Sequence, residues 1–176
     1  MQDEKQHSTR ICFETLIAED PFQGRLFRSS VFKCLAVRQD VFQREQGIER
    51  VLDEDGKDTL PDTFHVLLCD CWYAENTAPT RIPAGTVRGR PFGMPGIVKL
   101  ERMAVLRAYR GSGLGRQLLR DFEEYARSRG FTEIRLHAQK DSVGFYRKHG
   151  FEPFGAPFTE AGITHQAMKK SLATRS

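Results

Sequence analysis

Three glycines lie within five positions of residues 110–116, which read Arg110, Gly111, Ser112, Gly113, Leu114, Gly115 and Arg116. Glycines let the backbone turn tightly and approach a ligand closely, because no Cβ atom intervenes. The segment follows an apolar, strand-like run and opens a helix-like one, so the N–H groups of the first helical turn carry partial positive charge outward. This arrangement predicts a seat for a phosphate group. A glycine-rich turn without a ligand is the alternative.

Two common phosphate-binding motifs do not fit this segment. A P-loop needs Gly-Lys-Ser/Thr after four spacer residues, and the sequence has none. A dinucleotide fingerprint G-x-G-x-x-G that begins at Gly111 fails at Arg116, and one that begins at Gly113 fails at Leu118. The surroundings still suit an anionic ligand, since residues 81–150 hold fifteen basic and six acidic residues. A solvated basic face is the alternative.

The elements that must position this segment alternate in type. Apolar runs predict strands over residues 10–18, 64–73, 84–92, 97–106 and 132–138, with further strands from about 150 and over 165–170. Three- and four-residue periodicity predicts helices over 23–46, 113–129 and 141–148. Residues 52–58 and 77–83 are predicted loops. The resulting order β-α-β-β-β-α-β-α-β-β predicts an α/β (α+β mixed) sheet with helices on its faces.

Length and composition narrow the class of protein. A chain of 176 residues, 28% of them charged, predicts one globular domain over residues 1–176. No apolar run reaches the ~20 residues of a membrane span, and the polar N-terminus lacks a secretory h-region. We therefore expect a soluble, cytoplasmic protein with no membrane partner. The cysteines form no CxxC and the histidines no HxxxH, which predicts reduced thiols and no metal site.

Two motifs resemble those of a known family. The strand end Met103-Ala104-Val105, followed by Arg110-x-x-Gly113-x-Gly115, resembles the acyl-CoA signature of the GNAT superfamily of N-acetyltransferases. Residues 141–151 resemble its second signature, N-x-x-A-x-x-F-Y-x-K-x-G-F, but lack the common Asn and Ala. The resemblance covers about residues 64–170. Residues 37–46 also resemble the R-x-x-V-F-x-x-E-Q of the ElaA-like branch.

The resemblance implies a fold, an activity and a cosubstrate. The GNAT fold is a central, mostly antiparallel sheet with a splayed strand pair and flanking helices. The implied activity is transfer of an acyl group, most often acetyl from acetyl-CoA, to a primary amine by direct attack in a ternary complex, without a metal. The acyl-CoA-binding core would lie at about residues 97–152. The residues expected to contact CoA are Met103, Ala104, Val105, Arg110, Gly111, Ser112, Gly113, Leu114, Gly115 and Arg116.

The same resemblance suggests catalytic residues. Tyr146 matches the family tyrosine near the CoA sulfur and would donate a proton to the leaving thiolate; a core aromatic is the alternative. Glu101 lies two residues before Met103, so a regular strand would point both side chains the same way. It is the first candidate for the base, with an ion pair as the alternative. His137 is the second candidate, and the N–H of Val105 is the expected oxyanion donor.

The acceptor side is less determined. Family acceptor pockets imply Phe42, Glu45, Gln46 and His165, together with Arg38 and Glu160. The acidic residues 53–55 are either an entrance for a cationic amine or a solvated loop. We expect a small-molecule amine rather than a protein, and a monomer or homodimer. Two further classes stay open: a CoA-binding regulatory protein without turnover and a nucleic-acid binder. The sequence disfavours nucleic acid, because it lacks RNP-like interleaving of basic and aromatic residues.

Overall fold

The computed structural model of the chain describes residues 10–19, 25–73, 80–160 and 162–172. Eight strands form one sheet in the order β1-β2-β3-β4-β5-β8-β6, with β7 paired to β8. All neighbours are antiparallel except β4 and β5. The strands are β1 (Arg10–Ala18), β2 (Phe64–Tyr73), β3 (Thr80–Pro91), β4 (Ile97–Val105), β5 (Glu133–Gln139), β6 (Glu152–Pro153), β7 (Phe158–Glu160) and β8 (Ile163–Ser171).

The helices flank this sheet, so the predicted mixed α/β class is confirmed. They are α1 (Arg25–Arg38), α2 (Arg50–Asp53), α3 (Leu114–Ser128) and α4 (Val143–Lys148). α1 runs directly into a π-helical segment, Gln39–Glu45. None of the helices in the described parts of the chain is both long and apolar enough to cross a membrane.

The boundaries differ from the predicted ones in three places. Of the predicted loop 77–83, residues 77–79 lie outside the described residues, and Thr80–Pro83 belongs to β3. The acidic segment begins with one helical turn, α2, before it becomes a loop. The short strand β7 has no counterpart among the predicted strands, because three residues are too few for a visible alternation.

The sheet separates two apolar layers. Alternate residues of β2 pack against α3 on one face, where the Phe64 ring stacks on Phe122 at 5.3 Å. A Cβ atom at Gly89 would lie 2.2 Å from the Phe64 ring, so glycine is what lets this ring lie flat on β3. On the other face α1 supplies Cys34, which packs with Leu67, Cys69 and Cys71.

The predicted buried thiols agree with this packing. Cys34, Cys69 and Cys71 are all buried, and Cys34 and Cys69 form no disulfide. The side chain of Cys12 lies outside the described residues. Burial raises the pKa of Cys34 to about 12, so this thiol stays protonated at neutral pH.

Candidate active site

The two parallel strands separate after a short paired stretch. β4 pairs with β5 from Ile97 to Lys99, opposite Glu133 to Arg135. Beyond Lys99 the strands diverge, and a cavity of about 350 Å³ is lined by both of them. The predicted splayed strand pair is therefore present, and the ends of β4 and β5, α4 and the π-helical segment all face one space.

A β-bulge in β4 shapes the wall of this cavity. Between two cross-strand pairs, β4 carries one more residue than β3. Arg102 has a φ of +54°, which non-glycine residues rarely adopt. The bulge shifts the alternation, so Met103 packs on the α3 face while Glu101 lies on the α1 face beside Arg88. The prediction that Glu101 points the same way as Met103 is therefore wrong.

The backbone N–H and C=O groups of Val105 point away from β3, toward the space where β4 and β5 have separated. It lies opposite Gly85, and the next residue, Leu106, donates its N–H to the carbonyl of Ala84 at 2.9 Å. This is a non-hydrogen-bonded antiparallel pair, whose own N–H and C=O groups point away from the partner strand. The Val105 carbonyl accepts a bond from Arg110 Nε at 2.8 Å. Its N–H has the orientation expected of the oxyanion donor.

The glycine segment makes a tight, open turn into α3. Gly111 and Gly113 have φ values of +81° and +88°, where side chains are strained. Gln117 donates its N–H to the Gly113 carbonyl at 3.1 Å, which is the first bond of the helix. The preceding N–H groups, those of residues 114–116, therefore have no acceptor within the helix. A Cβ added at Gly113 would find nothing nearer than Arg116 at 3.6 Å, so the surface over the turn is open.

Side chains hold this turn in place. Ser112 donates its hydroxyl to the Tyr109 carbonyl at 2.7 Å. A Cβ at Gly115 would contact the Phe145 ring at 3.7 Å, so this glycine lets α3 approach α4 closely. Arg110 pairs with Glu45 at 2.7 Å. Glu45 was predicted to contact the acceptor. It pairs instead with the arginine of the glycine turn and does not line the cavity.

Tyr146, predicted from the family resemblance to donate a proton to the CoA sulfur, faces the cavity. It is buried on α4, lines the cavity and donates its hydroxyl to the Met103 sulfur at 3.5 Å. Burial raises the pKa of Tyr146, so the phenol keeps its proton throughout the neutral range. Phe145 packs edge-on against Tyr146 at 5.2 Å and is part of the core.

Glu101 lines the cavity but is held by cations. Its carboxylate accepts bonds from Arg88 at 2.8 Å and Arg90 at 2.9 Å, and Lys99 lies at 3.3 Å. Burial opposes ionisation, but these cations outweigh it and lower the pKa of Glu101 to about 2. So weak a base removes a proton poorly from an ammonium group. The ion pair that was the alternative role for Glu101 is what the structure contains.

His137 lies on β5 with better properties for a base. It lines the cavity, its Nδ1 lies 3.3 Å from a Glu160 carboxylate oxygen, and its ring meets Phe158 edge-on at 4.8 Å. Burial and the charge of Lys99 lower the pKa of His137, against the opposing effect of Glu160. The imidazole is therefore neutral at physiological pH and able to accept a proton.

The structure brings most predicted acceptor residues together. Phe42, Gln46, Glu160 and His165 all line the cavity. His165 Nδ1 lies 2.9 Å from the Ile163 carbonyl, so this nitrogen carries a proton and donates to the carbonyl oxygen. Arg38 is not available to an acceptor, because it is 1% exposed and bound to the Asp53 and Asp58 carboxylates.

The acidic loop has a structural role that neither sequence alternative described. Its carboxylates pair with arginines of α1, β3 and the bulge, and Asp53 is 2% exposed. It is therefore neither a solvated loop nor a free acidic entrance. The sequence also gave no role to Lys57, Lys99, Arg102 and Gln139, which line the cavity. The charged residues Lys99, Glu101 and Arg102 on an otherwise apolar strand were the available signal. The described residues contain no group of three or more His, Cys, Asp and Glu suited to a metal ion.

Comparisons with known proteins agree with this geometry. A family model described as "Acetyltransferase (GNAT) domain" matches residues 54–172. The Bacillus subtilis protein YyaT is 34% identical over 146 residues, which is 82% of this chain and 91% of YyaT. A Lactobacillus plantarum structure assigned as an N-acetyltransferase is 29% identical with a TM-score of 0.74, covering 92% of this chain and 99% of that one.

Escherichia coli ElaA has the same fold, with a TM-score of 0.70 and 24% identity over 92% of this chain and 99% of its own. The match of the family model to most of the chain, and the coverage and identity of YyaT, decide the family. The chain belongs to the GNAT acetyltransferase family.

Proposed function

We propose that the protein transfers an acetyl group from acetyl-CoA to the primary amine of a small molecule by direct attack in a ternary complex. One observation carries the proposal. A single cavity in the β4–β5 splay contains Tyr146 and Met103 together with His137 and His165. The groups expected to face the thiol and those expected to face the amine thus line the same cavity, as a reaction without an acyl-enzyme requires.

Acetyl-CoA is expected to extend from the glycine turn to the splay. The N–H groups of residues 114–116 and the guanidinium of Arg116 would bind its phosphates. The backbone of Met103, Ala104 and Val105 would hold the pantetheine arm. The open surface over Gly113 and the unpaired strand edge at Val105 support this placement. The Ala104 side chain lies on the other face of the sheet from that of Met103, and it packs there with Val37 and Val41.

The chemical step needs a proton acceptor, an oxyanion donor and a stabilised leaving group. The amine gives a proton to His137, and its lone pair then forms the C–N bond to the thioester carbonyl carbon. The Val105 N–H donates to the resulting oxyanion. As the oxyanion collapses the C–S bond breaks, its electron pair goes to sulfur, and Tyr146 gives its proton to the thiolate. The remaining surplus proton on the former amine nitrogen is released as the amide forms and restores the Tyr146 phenol. His137 returns its proton to solvent, so the products are the amide and CoA.

Thiol-release kinetics with acetyl-CoA and a broad set of primary amines test this function. We expect amine-dependent release of CoA, and Tyr146→Phe should lower kcat ~10²-fold or more while CoA affinity changes little. Tyr125→Phe is the matched control, because its hydroxyl bonds Glu19 and Arg129 outside the cavity. A protein that binds CoA without turnover of any amine would instead be the CoA-binding regulatory protein considered from the sequence.

A further inference from the structure

A connected ion network forms one wall of the cavity. Ion pairs of at most 4.0 Å join ten side chains from α1, the acidic loop, β3 and β4. Six of the ten are cations and four are carboxylates, which leaves an excess of two positive charges. The cations are Arg38, Lys57, Arg88, Arg90, Lys99 and Arg102, and the carboxylates are Asp53, Asp55, Asp58 and Glu101.

The least neutralised cations of this network face the cavity. Lys57 has one ion pair, to Asp55 at 3.6 Å, and its side chain is 43% exposed. Lys99 has one, to Glu101 at 3.3 Å, on a carboxylate that already binds two arginines more closely. Both lysines line the cavity. Arg38 and Arg88, by contrast, are each 1% exposed and fully occupied by carboxylates.

Another part of the cavity lining has the opposite character. Glu160 is 58% exposed at its side chain, and its one ion-pair partner in the described chain is His137, which is neutral at physiological pH. The Glu160 carboxylate therefore attracts an ammonium group, and the neutral His137 beside it accepts a proton. The cavity thus combines a cationic wall and an ammonium-attracting rim.

We propose that the acceptor carries a carboxylate or phosphate in addition to its amine, and that Lys99 and Lys57 bind this anionic group. The inference rests on the proposed function and adds a class of substrate to it. Excess positive charge in a half-buried wall is costly until an anion offsets it. An anion held there also orients the molecule, so that its amine lies at His137 and Glu160. The cavity volume of about 350 Å³ is in the range of small-molecule sites.

Matched pairs of amines test the anionic group. β-Alanine is compared with propylamine, and phosphoethanolamine with ethanolamine, by kcat/KM for CoA release. We expect the anionic member of at least one pair to be preferred by ~10-fold or more, which corresponds to ~1.4 kcal/mol. The pair that shows the preference identifies the group as a carboxylate or a phosphate. Equal or higher kcat/KM for both neutral members would overturn the proposal.

Substitutions locate the anion subsite. Lys99→Met should reduce the preference ratio at least ~10-fold, and Lys57→Met serves as a second variant should Lys99→Met fold poorly. Lys169→Met is the matched control. Lys169 lies on β8 opposite Arg135, which in turn lies opposite Lys99, so the two lysines share a sheet face, but Lys169 does not line the cavity. A ratio that survives in both Lys99→Met and Lys57→Met, or that falls equally in Lys169→Met, contradicts the assignment.

A failure of the proposed function is distinguishable from a failure of this inference. If no amine is acetylated, calorimetric binding of β-alanine and phosphoethanolamine to the CoA-saturated protein replaces the kinetic ratio. Binding that weakens ~10-fold in Lys99→Met but not in Lys169→Met would support the subsite without turnover. Absence of binding of both compounds, or binding that neither cavity lysine affects, would overturn it.

Discussion

Two ionisable side chains of the cavity, Glu101 and His137, differ in the charges that surround them. Three cations surround Glu101 and lower its pKa to about 2, so the carboxylate stays ionised at neutral pH. His137 has one exposed carboxylate beside it and a pKa below its ordinary 6.5. Efficient general bases have pKa values near the working pH. At the scale of single residues, His137 is therefore the better base, and Glu101 organises the cations around it.

The base assignment predicts a specific pH profile. The acidic limb of kcat/KM should have a pKa below 6.5, because His137 must be neutral to accept a proton. His137→Ala should lower kcat/KM ~10²-fold or more at neutral pH and remove this limb, with activity recovering as the amine itself deprotonates. His149→Gln is a control histidine outside the cavity lining. Loss of the limb in His165→Ala instead would transfer the role to His165.

A substitution at Gly113 tests the predicted phosphate-binding site of the glycine turn. Its φ of +88° is strained for any side chain, at a cost of ~1–3 kcal/mol that distorts the turn. A Cβ would also project into the open surface where the phosphates are expected. Gly113→Val should weaken CoA binding at least ~10-fold by calorimetry, with the fold retained. Gly144→Ala, with open space around its Cβ, should bind CoA normally. Normal CoA affinity in folded Gly113→Val would show that the seat is elsewhere.

At the scale of elements, β4 combines three tasks. Its first residues pair with β5, its bulge at Arg102 changes which face each side chain meets, and its last residues present an unpaired edge to the splay. The acidic loop is fastened to the same strand through Arg102, which donates to the Leu52 carbonyl at 2.6 Å. The loop and strand are therefore joined by hydrogen bonds and ion pairs, and together they form one wall of the cavity.

The ion network predicts the consequence of neutralising Glu101. Glu101→Gln leaves Arg88, which is 1% exposed, with one fewer carboxylate. Removal of one partner from a buried ion pair costs ~3–5 kcal/mol, so we expect a decrease toward this size in the free energy of unfolding from urea melts. Glu133→Gln is the matched control, since its pair with Arg135 is partly exposed and such pairs contribute ~0–1 kcal/mol. Equal stability of Glu101→Gln and the native protein would show that Glu101 is not essential to the network.

At the scale of the whole molecule, folding confines His65 to a state without charge. It is 1% exposed, its Nε2 lies 3.0 Å from the Asp58 carbonyl, and its Nδ1 has no hydrogen-bond partner among the described residues. Burial lowers the pKa of His65 against the opposing effect of Asp58, and the nearby Arg38 and Arg88 add to the lowering. A proton on Nδ1 would therefore be both unsolvated and repelled.

We therefore expect the free energy of unfolding to decrease with acid already at pH values well above the pKa values of carboxylates. The unfolded chain binds a proton at His65 near pH 6.5 and the folded chain only at lower pH, so stability is complete above 6.5 and falls as the pH decreases through it. Each bound proton contributes at most ~1.4 kcal/mol per pH unit. A second loss should follow below pH 4.5, where Glu101 gains a proton in the unfolded chain first.

Urea melts at about pH 8, 6.5, 5.5, 4.5 and 3.5 measure this dependence. His65→Gln, whose amide nitrogen replaces Nε2 as a donor, should reduce the slope of the curve between about pH 8 and 5, where His137 also contributes, and leave the part below about pH 4.5 unchanged. His149→Gln is the control, because His149 is not fully buried. An unaltered curve in His65→Gln would show that other groups carry the dependence.

Much of this protein is decided by local patterns in the sequence. The glycine turn, the stripe of α3 and the Phe145–Tyr146 pair of α4 are visible because turns need positive φ and helices bury every third or fourth residue. The strands around them follow from apolar runs, and the two motifs together indicate the family that the comparisons then established. Some residues of the cavity lining were also named as site residues from the sequence: Phe42, Gln46, Glu101, Met103, His137, Tyr146, Glu160 and His165.

Only the tertiary structure decided how these residues face one another. The bulge at Arg102 separates Glu101 from Met103, and no local pattern announces it, because one extra residue leaves composition and spacing almost unchanged. The partners of Arg38 and Glu45 likewise lie 15 and 65 positions away in the chain. Charge pairing, burial and the pKa values that follow depend on distances between remote segments, and those distances are set when the sheet and helices pack together.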